Sequence, residues 1–384
     1  MNLFEIALLD DPYPAYAELR ESRAVHDGGS GYWYVTRYDE IQRLLRDPSL
    51  VSGTGVVDSL GLTEGPLYDV MTSWLMALDG NAHARVRRLI SGVFTPRAVE
   101  RMRPDVSALV AAVLDDLGHV DGSAPVDLVP ALAFTVPIQV VRMLFGVDES
   151  EWRREVIAHL APSADGPLDT MSRLIEYLER LVERRRAAPG DDMFSLLFAP
   201  DDTGERLSDF ELVANGVLLI TAGFETTMSM IGNSIVALLE HPAQADAVRD
   251  DPAQVVEAVE EALRWETPAL TTSRRTTTAI EVSGALIPPD TDILFALAAG
   301  NRDPRRYDHP DRFDITRPDI RPLGFGGGLH VCIGAALARL ETQVVVAGLL
   351  RRFPELALDH DGVRWRKDNP TVRGPATLPV QLRR

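Results

Sequence analysis

The segment Leu323-Gly324-Phe325-Gly326-Gly327-Gly328-Leu329-His330-Val331-Cys332-Ile333-Gly334 holds the only cysteine of the 384-residue chain. It continues into Ala335-Ala336-Leu337-Ala338-Arg339-Leu340-Glu341, and the apolar positions Leu337, Leu340, Val344 and Ala347 recur at helical spacing. A glycine-rich loop therefore feeds a helix. Cys332 stands just before the helix amino terminus, where orphan backbone N–H groups and the helix dipole favour a thiolate. A sulfur so placed is a nucleophile, an inert thiol or a soft metal ligand. His330 is a poor base for a nucleophile, because a two-residue span seldom lets the side chains meet correctly. A dinucleotide loop fails too, since Val331 stands where its third glycine would be. As a metal ligand, one thiolate without a histidine cluster needs its remaining bonds from a prosthetic group. Haem iron, with four nitrogens of its own, meets that count.

The rest of the composition narrows function by exclusion. Lys and Arg total 39 against 57 Asp and Glu, a net charge of −18, so the chain lacks the basic footprint of a nucleic-acid reader and no such partner is expected. A single cysteine excludes disulfides, cysteine-rich zinc sites and an iron–sulfur cluster. Lys367 is the sole lysine and Asp368 follows it, which removes the Walker Gly-Lys-Ser/Thr motif. The histidines show no i, i+4 zinc pair, and no Gly-x-Ser-x-Gly elbow occurs. With no apolar run of about 18 residues and no leader-like amino terminus, a cytoplasmic protein without a membrane partner is expected.

Periodicity and punctuation predict a mainly α chain with small β regions. Helices are expected at 14–23, 38–46, 83–94, 96–118, 127–145 and 168–188. A strand is expected at 32–36, and a second β region at 280–297, broken by Gly284 and Pro288-Pro289. The glycines between 51 and 76 mark a mobile loop region with one short helix. No repeat, linker or low-complexity stretch divides the chain, which is read as one domain over 1–384.

The longest helix is expected over 208–241. Ser208 and Glu211 form a capping box and His241-Pro242 supplies the stop. At ~1.5 Å per residue this helix is roughly 50 Å long. From 212 to 220 and from 228 to 239 it is apolar nearly all round, the mark of a buried helix. In its middle sit Ala222-Gly223-Phe224-Glu225-Thr226-Thr227. An ionisable Glu225 there is costly unless paired or hydrated. Ala222 and Gly223 leave room for something flat to approach the backbone, or for the helix to bend. The plainer reading is a satisfied buried Glu beside threonines bonded to the preceding turn.

Taken together, Phe325-Gly326-x-Gly328-x-His330-x-Cys332-x-Gly334 resembles the haem-ligand signature of the cytochrome P450 family of haem-thiolate monooxygenases. Ala222-Gly223-x-Glu225-Thr226-Thr227 is similar to the family's oxygen-activating segment on its long central helix. Glu261-x-x-Arg264 resembles the family's buried pair, with Arg317 as third member, and His83-x-x-x-Arg87, Arg274 and His330 match its haem-propionate partners. Alone, the Glu261/Arg264 and His83/Arg87 spacings would be ordinary surface pairs. Joint occurrence gives them their value, because two buried haem carboxylates require cationic partners. The matches run along nearly the whole chain and are nearest to soluble bacterial members.

The resemblance implies a cytochrome P450 fold, with haem b (iron protoporphyrin IX) between the long central helix and the cysteine loop. It implies Cys332 as axial metal ligand and Phe325, Gly326, His83, Arg87, Arg274 and His330 as haem-binding residues. Thr226 would hydrogen-bond the oxygen under activation, and Glu225 would relay protons. The implied activity is hydroxylation or epoxidation of a small to medium hydrophobic substrate in natural-product biosynthesis, by a monomer taking electrons from a separate ferredoxin and ferredoxin reductase. The alternatives are a peroxide-driven peroxygenase or oxidative coupling enzyme, and a non-catalytic haem-binding sensor or recruitment protein. Glu225 and Thr226 together favour the oxygenase. Residues 51–76, 213–222 and 268–272 are expected to line the pocket. Two features depart from the family pattern. Phe224 replaces the polar residue often found before the acid, and 152–177 is short for two helices that cover the pocket. Arg85, Arg87, Arg88, Arg97, Arg101 and Arg103, with Arg339, Arg351 and Arg352 after Cys332, are the expected basic docking surface for an acidic ferredoxin.

Overall fold

The strand Asp292–Ala296 is covered on both faces. Ile293 and Phe295 join one core with Val25, Val35 and Ile41, while Leu294 and Ala296 join a second with Leu3, Tyr16 and Tyr34. Successive side chains of a strand point to opposite faces, so a strand covered on both sides reads as a continuous apolar run rather than an alternation. It is the middle of a five-stranded sheet in the order Val25–Asp27, Tyr32–Val35, Asp292–Ala296, Thr271–Thr276, Leu50–Val51. Tyr32–Val35 runs parallel to it with Tyr32 opposite Asp292, and every other pairing in the sheet is antiparallel.

The computed structural model describes residues 2–29, 31–53, 57, 61–120, 124–158 and 167–382. The sheet belongs to a compact unit made of Met1–Val51, Glu100–Val136 and Glu225–Arg384. Ile280–Val282 and Ala285–Ile287 form a hairpin in this unit. Its turn residues Ser283 and Gly284 both have positive φ, 48° and 81°, as a tight two-residue hairpin turn needs. Near the carboxyl terminus Arg364–Trp365 pairs with Pro375–Thr377, and Pro379–Gln381 lies between Val126–Asp127 and Ala357–Leu358. The helix Ala335–Arg352 packs on Arg103–Gly118 through Gly348, where a Cβ would come within 3.0 Å of Leu114.

The second unit, Ser52–Val99 and Pro137–Phe224, is helical among its described residues. It includes Pro66–Thr72, the short helix expected between 51 and 76, together with Gly80–Ser91 and Pro167–Ala187. Leu75 N–H donates to Asn215 Oδ1 at 2.9 Å, and Asn215 Nδ2 donates to Glu211 O at 3.0 Å, tying the end of the 51–76 region to the long helix. Residues 54–56 and 58–60 of that region, and 159–166 of the expected short cover, lie outside the described residues.

The long helix is Asp209–Glu240, 32 residues, or about 48 Å at 1.5 Å per residue. Its capping box is made as expected: Ser208 Oγ accepts the Glu211 N–H at 3.2 Å, and Glu211 Oε2 accepts the Ser208 N–H at 2.9 Å. Among the described residues it is the one single helix long and apolar enough to cross a membrane, and half of its most apolar window is buried within the protein. Two expected helices are broken instead. The 96–118 helix is Pro96–Glu100 followed by Arg103–Gly118. Pro104 lacks an N–H and fits only the first turn of a helix, so a new helix starts there. The 127–145 helix is a wide turn, Val129–Ala133, then Thr135–Leu144, because Pro137 cannot bond back to Ala133.

Candidate active site

The cysteine loop is bent by two glycines that no other residue could replace without strain. Gly326 has φ 69° and ψ −150°, a region essentially open to glycine alone. Gly328 has φ 67°, and a Cβ there would lie 2.1 Å from the Leu45 carbonyl oxygen. The loop closes on itself around them: Gly326 N–H donates to Leu323 O at 2.7 Å, and Cys332 N–H to Phe325 O at 2.9 Å. Cys332 is left exposed, three residues before the helix Ala335–Arg352, whose N-cap Gly334 offers no side-chain cap. Ala335 N–H donates to Cys332 O at 3.5 Å, so the helix starts directly against the cysteine, and its dipole favours a nearby negative charge. Among the described residues no group of three or more His, Cys, Asp or Glu could hold a metal ion. A metal bound at Cys332 must therefore arrive with its other ligands, and the donor set fits haem.

The loop rests on the helix Val255–Trp265. Gly324 lies so close to it that a Cβ would meet Leu263 at 3.0 Å. Glu261 and Arg264 of this helix are fully buried, not a surface pair. Arg264 donates twice to the Glu261 carboxylate, both at 2.7 Å, and to the carbonyls of Asn301, Pro310 and Arg312. Arg317 Nε donates to Glu261 Oε1 at 3.0 Å, completing the expected triad. The Asp314 N–H adds a bond to the same oxygen at 2.9 Å. Such saturation is what makes a buried ion pair tolerable.

On the central helix, Leu212–Val217 and Thr227–Leu238 are buried, whereas Thr221 and Gly223–Thr226 are half-buried and Ala222 is exposed. An apolar helix buried toward both ends opens in its middle, at the segment that carries Glu225 and Thr226. Glu225 is paired: Arg366 Nη2 lies 2.7 Å from Glu225 Oε1 and 2.8 Å from Asp368 Oδ2. Burial alone would pull the Arg366 guanidinium down, but Asp368 and Glu225 more than offset it and hold the group above its ordinary value. The Asp368 carboxyl is lowered, chiefly by its hydrogen bond from Arg366.

Arg366 was not among the expected site residues. It reaches Glu225 because the hairpin of Arg364–Trp365 and Pro375–Thr377 presses on the central helix: a Cβ on Gly374 would meet Ser229 Oγ at 2.5 Å, and one on Gly232 would meet Pro375 Cγ at 2.6 Å. The helix Ala335–Arg352 holds another unforeseen acid. Glu341 is buried, its Oε2 has no hydrogen-bond partner among the described residues, and burial pushes its carboxyl well above the usual range.

The remaining expected residues are placed as follows. Phe325, Gly326, His330 and Cys332 share the loop, and Arg274 is buried on the strand Thr271–Thr276 with Nη1 donating to Ser273 O at 2.6 Å. His83 and Arg87 lie one turn apart on Gly80–Ser91 in the second unit, the former buried and the latter half-buried. The expected basic surface is largely engaged. Arg85 pairs with Glu211, Arg88 with Asp201 and Glu205, Arg103 with Glu100, Arg339 with Glu260 and Arg352 with Asp115.

Comparison with known proteins agrees with this geometry. The Cytochrome P450 family model matches residues 154–382, more than half of the chain. The chain is 39% identical to 6-deoxyerythronolide B hydroxylase of Saccharopolyspora erythraea, over 97% of this chain and 96% of that protein. It is 38% identical to cytochrome P450 monooxygenase PikC of Streptomyces venezuelae, over 97% and 92%. Among solved structures, P450BioI in complex with an acyl carrier protein ligated to hexadec-9Z-enoic acid superposes with a TM-score of 0.88 at 32% identity, covering 98% of this chain and all of that one. The chain therefore belongs to the cytochrome P450 family, and it is a monooxygenase that binds haem b, an oxidoreductase that incorporates molecular oxygen.

Proposed function

We propose that this monooxygenase holds haem b through the Cys332 thiolate and moves protons through Glu225 and Thr226. The observation that supports this most is the presentation of the chain's only thiol, exposed on a glycine-bent loop at a helix start. Bound haem supplies the redox centre at which dioxygen is activated and one oxygen atom is passed to the substrate. The chain's own residues do the rest. The dipole of Ala335–Arg352 favours the deprotonated Cys332 Sγ, and the Phe325 carbonyl fixes the cysteine's backbone. Phe325 and Gly326 shape the loop. His83, Arg87, Arg274 and His330 are assigned to the haem propionates on the motif match, where cations offset buried carboxylates. Glu225, held by Arg366, would take up a proton from solvent and pass it to Thr226 Oγ1, whose hydroxyl would hand on its own, a proton relay.

The substrate we infer is a small to medium hydrophobic natural product, hydroxylated or epoxidised; the names of the relatives, a hydroxylase of 6-deoxyerythronolide B among them, support that class. Electrons come from a separate ferredoxin and its reductase, since one cysteine cannot hold a cluster. The enzyme works as a single-domain monomer in the cytoplasm. The test is the spectrum of freshly reduced protein under carbon monoxide. It should show the strongly red-shifted Soret band of thiolate ligation, lost in Cys332→Ser, and a histidine-like spectrum in the unaltered protein would overturn the assignment. Product formed with ferredoxin, reductase and NADPH, but not with peroxide alone, separates the monooxygenase from a peroxygenase.

A further inference from the structure

Arg339 lies in the second turn of Ala335–Arg352, with its guanidinium over the Phe325 ring, 4.4 Å from the ring centroid. Its Nη2 donates to Glu260 Oε2 at 2.9 Å and its Nε to Glu260 Oε1, the two-pronged match of a guanidinium to a carboxylate. Glu260 comes from Val255–Trp265, the helix on which the cysteine loop rests. Phe325 in turn accepts the Cys332 N–H at 2.9 Å. One line of contacts therefore runs from Glu260 through Arg339 and Phe325 to the backbone of Cys332. A docking arginine must be free to turn toward its partner. Arg339 is instead held by two carboxylate oxygens and a ring, with side-chain exposures of 33% for Arg339 and 19% for Glu260.

We propose that Arg339 and Glu260 are positioning residues for the Cys332 thiolate: the guanidinium clamps Phe325, and Glu260 cancels the charge that the clamp brings beside the ligand. The proposal rests on the reading of Cys332 as the haem ligand. Its consequence is a sign. A guanidinium left unpaired near the metal centre stabilises the reduced, more electron-rich state, and a carboxylate left unpaired destabilises it. Glu260→Gln therefore raises the reduction potential and Arg339→Gln lowers it, with the double variant between them. A role in helix packing alone would not give opposite signs. Arg339→Gln also frees the ring, so the thiolate-ligated carbon monoxide form is lost about fivefold faster, the factor that corresponds to a cation–π contact of about 1 kcal/mol. Arg339→Lys keeps the cation over the ring without the two-pronged bond and lies between wild type and Arg339→Gln.

The experiment measures the reduction potential and the decay of the red-shifted carbon monoxide band in haem-loaded wild type, Arg339→Gln, Arg339→Lys, Glu260→Gln and the double variant. Opposite potential shifts, with faster decay confined to the Arg339 variants, are expected. Shifts of one sign, or none, overturn the proposal. If Arg339→Gln does not retain haem, Glu260→Gln decides it, because it leaves the cation over the ring: a raised potential with unchanged decay is expected, and an unchanged or lowered potential overturns the proposal. A wild type without the red-shifted band is a different result, and overturns the assignment of Cys332 itself.

Discussion

Arg366 and Glu225 form an ion pair at 2.7 Å between the carboxyl-terminal hairpin and the open middle of the central helix. Both side chains are largely sheltered, 15% and 28% exposed, so solvent weakens the pair only in part. The pairing offsets the cost of an ionisable group in mid-helix. Asp368 shares the same guanidinium at 2.8 Å and tempers that hold.

Removing the cation should therefore slow turnover. In Arg366→Gln the Glu225 carboxylate loses its partner in the open middle of the central helix, and turnover should fall, by less than the roughly hundredfold scale of a lost proton-transfer group. Arg366→Lys should restore most of it. Asp368→Asn should stay near wild type, because Arg366 then belongs to Glu225 alone. Steady-state rates of Arg366→Gln equal to those of wild type would take the pair out of the proton path.

The two relay residues should fail differently. Thr226→Ala is expected to keep consuming NADPH while product falls and peroxide is released, because the proton reaches the wrong oxygen. Glu225→Gln is expected to slow turnover by about a hundredfold, the scale of a lost proton-transfer group, with less loss of coupling. Parallel assays of NADPH, product and peroxide distinguish the two. Full coupling in Thr226→Ala would point to water alone, or to peroxide-driven chemistry.

The cysteine loop was legible because its constraints are local. Gly326 and Gly328 need positive φ, and the helix after Cys332 announces itself in the spacing of Leu337 and Leu340. The central helix was legible for the same reason, through Ser208 and Glu211. Asp292–Ala296 was harder, since two cores cover its faces and erase the alternation that marks a strand. Pro104 and Pro137 carry a local signal, since each lacks the N–H that a helix interior needs, and the helices restart close to them. The partners of Glu225 and Arg339 had no local signal at all. They are set by where Gly374 lets a hairpin approach a helix and where Gly324 lets a loop approach another.

Breaking the Glu261 triad should cost the most stability. Glu261→Gln leaves Arg264 buried without its counter-charge, an expected loss of about 3–5 kcal/mol in denaturant unfolding of the haem-loaded protein. Arg317→Gln should cost less, because Arg264 still neutralises Glu261. A loss below about 1 kcal/mol for Glu261→Gln would mean that the surrounding carbonyls alone keep Arg264 satisfied.

The electron donor should be steered by fewer arginines than the sequence suggested. Arg88 is held by Asp201 and Glu205, and Arg85 by Glu211, within the second unit. Arg97, Arg101 and Arg351 are exposed and make no ion pair among the described residues, which leaves their charge available. On a chain of net charge −18, such cations are where an acidic ferredoxin meets least repulsion. Reduction by the ferredoxin should slow steeply with added salt, since contacts between exposed charges are screened over about 10 Å at 0.1 M. Arg97→Glu or Arg351→Glu should weaken donor binding while leaving the substrate-induced spectral shift unchanged. Arg88→Glu should act chiefly on stability, because it sets three acids against one another. Stopped-flow reduction across a salt series measures all three, and salt-independent rates with an acidic ferredoxin would remove the case for electrostatic docking at these residues.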